Sequence, residues 1–181
     1  MSRLAKKPII LPKGVNFALR EGNAVVGGPK GEVKFFVHEN IEIKQNNEEL
    51  LVVSKPNNQK NNKALLGTMV SILKNSIKGV TDGFEKKLEI EGIGYKAQLE
   101  GENLSLSLGF THPIKIKAPK GISFKVEKNV ITISGINKEV VGQIASTIRL
   151  KKPPEPYKGK GIHYLGEIIR RKAGKKAVGT A

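Results

Sequence analysis

The sequence predicts an α+β protein of two tandem similar domains, each a mostly antiparallel sheet packed against one helix. Three observations predict it. Short runs alternate apolar and polar residues with period two, as in Leu104-Ser105-Leu106-Ser107-Leu108, Ile114-Lys115-Ile116-Lys117 and Phe124-Lys125-Val126. Two other stretches carry apolar stripes at helical spacing. Finally, PKGVNFALREGNAVVGGPKGEV from Pro12 aligns without a gap on PKGISFKVEKNVITISGINKEV from Pro119, 107 residues later, which points to one ancestral unit used twice.

Taken in order, polar turns at Asn46-Asn47-Glu48, Gly101-Glu102-Asn103 and Lys128-Asn129 should join neighbouring antiparallel strands, because these residues tolerate turn backbones. Residues 56–62 form an Asn-rich linker that opens a helix with Leu66, Met69, Val70, Leu73 and Ile77 on one stripe, and Asn62 is its candidate cap. Gly79-Val80-Thr81-Asp82-Gly83 is rich in turn formers, and a strand pattern starts afresh at Phe84-Glu85-Lys86-Lys87-Leu88-Glu89-Ile90. The boundary therefore falls between residues 1–82 and residues 83–181. In the second half Asn137 is the cap candidate for a shorter stripe of Val140, Val141, Ile144 and Ile148, which ends before Pro153-Pro154. Each helix should cover the apolar face of its own sheet, leaving the other face wet.

Charge narrows the class of partner. The 181 residues include 32 Lys and Arg against 16 Asp and Glu, a formal net charge of +16. Self-repulsion of that size implies a polyanion, which charge alone leaves as nucleic acid, an anionic membrane surface or an acidic protein. Cysteine is absent, which excludes disulfides, thiolate metal sites and cysteine nucleophiles and fits a reducing compartment. No apolar run approaches the roughly 18 residues of a membrane span, and the first residues lack the apolar segment of a secretory signal. A soluble protein that stays where it is made is expected.

The charge is concentrated. Arg149, Lys151, Lys152, Lys158, Lys160, Arg170, Arg171, Lys172, Lys175 and Lys176 face only Glu155 and Glu167, an excess of +8 and half the net charge. A solvated face usually mixes signs, so a binding surface explains this segment better. Prolines in Pro153-Pro154-Glu155-Pro156-Tyr157 hold the loop extended and reduce the entropy lost on binding. Gly159 and Gly161 would let the backbone approach phosphates, Lys158 and Lys160 supply charge, and Tyr157 offers a ring to stack on a base or ribose. The tail Arg170-Arg171-Lys172-Ala173-Gly174-Lys175-Lys176 has the composition of a segment that is disordered when free and folds on a polyanion.

Other motifs do not hold. Gly92-Ile93-Gly94-Tyr95-Lys96-Ala97 fits the spacing of a dinucleotide fingerprint, but strand-like alternation continues through Tyr95, Ala97 and Leu99 where that motif needs a helix. Gly28-Pro29-Lys30-Gly31 matches the loop of KH modules, yet Gly135-Ile136-Asn137-Lys138 in the aligned copy lacks the second glycine, so a tight turn is the better assignment. His38, His112 and His163 lie far apart, and structural roles suit them better than metal binding. Asp82 is the only aspartate, and scattered glutamates give no obvious pair for acid–base or two-metal chemistry. No catalysis, cofactor or small-molecule substrate is expected. The tail also lacks the large apolar residues of a membrane-surface helix.

The run Pro154-Glu155-Pro156-Tyr157-Lys158-Gly159-Lys160-Gly161-Ile162, with the basic tail behind it, resembles the signature of the ribosomal protein L-six family of the bacterial-type large subunit. Gly27-Gly28-Pro29-Lys30-Gly31-Glu32, Gly92-Ile93-Gly94-Tyr95-Lys96-Ala97-Gln98 and Leu108-Gly109-Phe110-Thr111-His112-Pro113-Ile114 resemble that family's landmarks in the same order, so the resemblance spans essentially the whole chain. It implies a structural constituent of the large subunit. The second domain would dock on large-subunit ribosomal RNA near the factor-binding region, at the stalk base and close to the sarcin-ricin loop, and would stabilise the folded RNA. The first would project outward. Neighbouring ribosomal proteins and translation factors are the implied further partners, in ribosomes of the cytoplasm or of an organelle. The family's RNA contacts carry over to Tyr157, Lys158, Gly159, Lys160 and Gly161, with Lys151, Lys152, Arg170, Arg171, Lys172, Lys175 and Lys176 as flanking candidates. The Asn-rich linker and the preference for Lys over Arg depart from the family pattern without touching the motif.

Overall fold

A computed structural model describes residues 7–20, 22–46, 49–55 and 59–174, with the side chains of residues 59–61 excepted. The chain forms two compact units, one running to Phe84 and including Ile136–Lys138, the other taking Glu85–Gly135 and everything from Glu139 on.

In the first unit, β1 (Ile9–Ile10), β2 (Asn16–Arg20), β3 (Asn23–Gly28), β4 (Gly31–Phe36), β5 (Ile41–Asn46) and β6 (Glu49–Ser54) precede α1 (Gln59–Thr81). The strands divide into two antiparallel sheets, ordered β1-β6-β5 and β2-β3-β4. Alternation sets which side is covered: Val26 faces Val33 and Ile43 faces Val52 across their ladders, and all four are buried. α1 packs on β3, β4, β5 and β6, so it covers both sheets. Its predicted stripe of Leu66, Met69, Val70, Leu73 and Ile77 is buried throughout. At the far end Gly83, at φ 81°, donates its N–H to Lys78 O, so the stretch of turn formers at the expected boundary is the helix's last turn and its glycine stop.

The second unit repeats the order with β7 (Phe84–Glu91), β8 (Lys96–Glu100), β9 (Asn103–Ser107), β10 (Ile114–Ile116), β11 (Ile122–Glu127), β12 (Val130–Gly135) and α2 (Lys138–Lys151), then adds β13 (Gly161–Tyr164). Its sheets run β8-β9-β10 and β11-β12-β7-β13. Leu104, Leu106, Ile131, Ile133, Ala145, Ile148 and Ile162 are fully buried. Asn137 directly precedes α2, as expected of its cap.

The α+β class and the internal duplication are as predicted, while their details differ. Each half holds two small sheets where one was expected. Asn62 is no cap: α1 begins before it, its side chain is buried, and Nδ2 donates to Lys55 O at 3.2 Å. The repeat has another register. β2 begins at Asn16 and β8 at Lys96, β3 at Asn23 and β9 at Asn103, 80 residues on in each case. The 107-residue alignment instead laid β2-β3 over β11-β12, which sit in different sheets. What those segments share is local: Pro12 O and Pro119 O each accept an N–H three residues on, with Gly14 at φ 85° and Gly121 at φ 80° in the turn. A turn that needs glycine at its third position before a hairpin strand recurs wherever that geometry does.

Candidate nucleic-acid interface

The predicted basic loop is a closed structure of the second unit. α2 stops at Lys151, and the chain returns at β13, where Ile162 N–H donates to Lys152 O at 2.8 Å. Within the loop, Glu155 N–H donates to Lys160 O at 2.8 Å and Gly159 N–H to Glu155 O at 2.9 Å. These bonds close the loop on itself and fix its shape before any partner arrives. β13 anchors it, pairing with β7 from Gly161 opposite Glu91 to Tyr164 opposite Leu88.

The two glycines are buried, and their missing side chains answer to the loop itself. Gly161 has φ 146°, and a Cβ there would lie 2.6 Å from Pro153 O and 2.7 Å from Pro154 Cα. Gly159 has φ 76°, and a Cβ would lie 3.1 Å from Arg171 Nη2. The missing side chains therefore leave room for the proline arm and for Arg171 to close in.

The charged and aromatic tips stand outward. Lys151, Tyr157, Lys158, Arg170, Arg171 and Lys172 are exposed, and Lys160 is half-buried. Lys172 N–H donates to Pro156 O at 2.8 Å, which lays the start of the tail along the loop although residues 170–174 form no helix or strand. The tail's Lys175 and Lys176 lie outside the described residues. Lys152 is half-buried, its ammonium 4.7 Å from the centre of the Phe110 ring. Arg149 belongs to the basic run in sequence but turns inward to Glu167.

The loop's surroundings were only partly legible. Phe110 stood out only as part of the landmark run of residues 108–114, with no role attached, and its approach to Lys152 depends on tertiary packing. Gly92-Ile93-Gly94 forms the turn between β7 and β8, with no helix following, which removes the fingerprint's structural context. Gly28-Pro29-Lys30-Gly31 is the tight turn of the β3-β4 hairpin, as expected. His163 is buried opposite Glu89, with Nε2 3.7 Å from its carboxylate and no protein partner for Nδ1. Among the described residues no helix is long and apolar enough to cross a membrane.

The chain is similar to known proteins along nearly its whole length. The sequence profile of the family described as Ribosomal protein L6 matches residues 11–83 and again 91–165, two copies whose starts are 80 residues apart, the spacing of the structural repeat. The chain is 51% identical over 179 residues to the large ribosomal subunit protein uL6c of Guillardia theta, covering 97% of this chain and 98% of that protein. It is 49% identical over 179 residues to uL6 of Clostridium novyi (strain NT), with the same coverage. Against uL6 of Nostoc punctiforme it is 46% identical over 181 residues, covering 99% of this chain and 98% of the other.

Proposed function

Because the chain belongs to the ribosomal protein L6 family, structural proteins of the large ribosomal subunit and not enzymes, we propose that it binds folded large-subunit ribosomal RNA through residues 83–181 and stabilises its tertiary structure. The seat lies near the factor-binding region. Residues 1–82 face outward, towards neighbouring ribosomal proteins and the translation factors that pass the stalk base.

The observation that carries this is the preformed loop of residues 152–161, closed by its own backbone bonds, with Tyr157 and Lys158 outward and Arg171 and Lys172 laid alongside. Such a surface suits a sugar-phosphate contour better than a base sequence. Cations carried on a backbone that is already fixed match a preformed phosphate surface, and no groove-reading helix or strand projects from it. The concentration of charge around this loop favours the second unit as the seat and leaves the first free for other contacts.

The absence of cysteine from the natural sequence supplies the test. A Lys158→Cys chain carrying a tethered iron chelate and incorporated into large subunits should cut ribosomal RNA in a compact set of segments around the factor-binding region. Cuts only in distant segments would refute the location, and none at all would refute the loop as the contact.

A further inference from the structure

A second surface of the same unit stands beside the basic loop, and it is apolar. Ile93, at the tip of the turn between β7 and β8, is 87% exposed, and Phe110, in the connection from β9 to β10, is 49% exposed. One side chain ties these turns together. A Cβ on Gly92 would collide with the Tyr95 ring, and a Cβ on Gly109 would lie 3.3 Å from Tyr95 Cε1, so the ring fits between two backbones that only glycine leaves open. Tyr95 thereby fixes the turn that displays Ile93 and the glycine that precedes Phe110. Lys152, at the root of the basic loop, completes the link with its ammonium 4.7 Å from the Phe110 ring centre.

Large apolar side chains held out on turns are costly to leave in water, and the Lys152 ammonium on the Phe110 ring gives this patch a positive edge that suits a polyanion. We infer that Phe110 and Ile93 form a base-stacking extension of the RNA seat. Phe110 offers its ring to an unpaired base, Ile93 packs on the adjoining base or ribose, and Lys152 meets the nearby phosphate. The occupant is RNA because the patch is continuous with the loop through Lys152, where the chain's positive charge is densest. This rests on the RNA-binding role proposed above and adds a contact that charge alone would not supply.

The test is binding of the full chain to a large-subunit ribosomal RNA transcript refolded with magnesium, measured across a salt series. Phe110→Ala should weaken binding about tenfold, the scale of one lost base–aromatic stack, without changing the slope of log affinity against log salt, since no phosphate contact is removed. Phe110→Tyr should restore affinity, and adding Ile93→Ser to Phe110→Ala should weaken binding several-fold more. Unchanged affinity in Phe110→Ala overturns the inference. So does a reduced salt slope, because Phe110 would then only be seating Lys152. If Lys158→Glu with Lys160→Glu binds normally while Phe110→Ala does not, the basic-loop seat fails and the stacking surface stands.

Discussion

Arg149 and Glu167 lock the end of α2 to the segment after β13: Nη2 donates to Oε1 at 2.6 Å and Nε to Oε2 at 3.2 Å. Glu167 Oε2 also accepts the Tyr164 N–H at 2.9 Å. The loop of residues 152–161 lies between these elements, so the pair clamps its two ends, and Arg149 contributes structure where its sequence context suggested RNA contact. The Arg149 guanidinium, and after it the Tyr164 N–H, hold the Glu167 carboxyl below the usual carboxylate range.

A depressed folded-state pKa stabilises the fold fully above the unfolded value of about 4.3 and loses that contribution as pH falls through the folded value. Glu167→Gln should therefore cost about 1 kcal/mol at pH 7, a modest figure because the two side chains are 28% and 29% exposed. Urea unfolding of both chains should show the gap closing as the pH falls below about 4. A gap of the same size at acid pH would mean that shape, not charge, makes the clamp.

Gly161→Ala should be the most damaging single-methyl change in the loop. The new Cβ meets backbone atoms of Pro153 and Pro154, which cannot swing away, and φ 146° is strained for any side chain, at about 1–3 kcal/mol. Gly159→Ala meets only the Arg171 guanidinium, the mobile end of a long side chain. Gly161→Ala should lower RNA affinity although no charge is altered, with Gly159→Ala the milder of the two. Equal effects in filter binding would mean that loop shape does not set affinity.

In the first unit, a Cβ on Gly28 would lie 2.7 Å from Val80 Cγ2 and 3.1 Å from Val80 O, where the β3-β4 turn lies on the end of α1 and Lys30 N–H donates to Val80 O. Gly28→Ala should destabilise the protein by about 1–3 kcal/mol through overpacking and leave RNA affinity untouched. Thermal melting and RNA binding measured on one preparation separate these outcomes. Lost affinity with unchanged melting would return this glycine loop to the candidate RNA contacts.

These contrasts show where the sequence could be read and where it could not. Periodicity reports burial, so the α1 stripe and the apolar positions of β9 were legible. It does not report which strands meet, so the division into two sheets per half was not. Ser105 shows the limit within one strand: alternation put it on the wet side, yet it is buried. The repeat register failed for a related reason, since Pro-Lys-Gly turns are dictated by local backbone geometry and recur without common position in the fold. The basic loop was visible as composition. Its glycines look like phosphate-binding glycines in sequence, and only the folded chain reveals Pro153, Pro154 and Arg171 against them.

Charge reversal at the loop tip tests the seat with the least damage to the fold. Deleting everything beyond Leu150 would not do so, because it removes β13 and the fully buried Ile162 along with the loop. Lys158→Glu with Lys160→Glu leaves the backbone bonds in place: Lys160 holds Glu155 through its carbonyl, and Lys158 is exposed, so stability should stay within about 0.5 kcal/mol. Binding should suffer far more. A surface neutralising about 6 to 10 phosphates loses roughly 10³ to 10⁵ in affinity between about 50 and 200 mM salt, and each phosphate contact removed should lower the slope by about one. The double variant should therefore show a slope lower by about two and be absent from the large-subunit peak of a sucrose gradient, while melting like the natural chain. Normal co-sedimentation would show that other contacts seat the protein and that this loop is surface decoration.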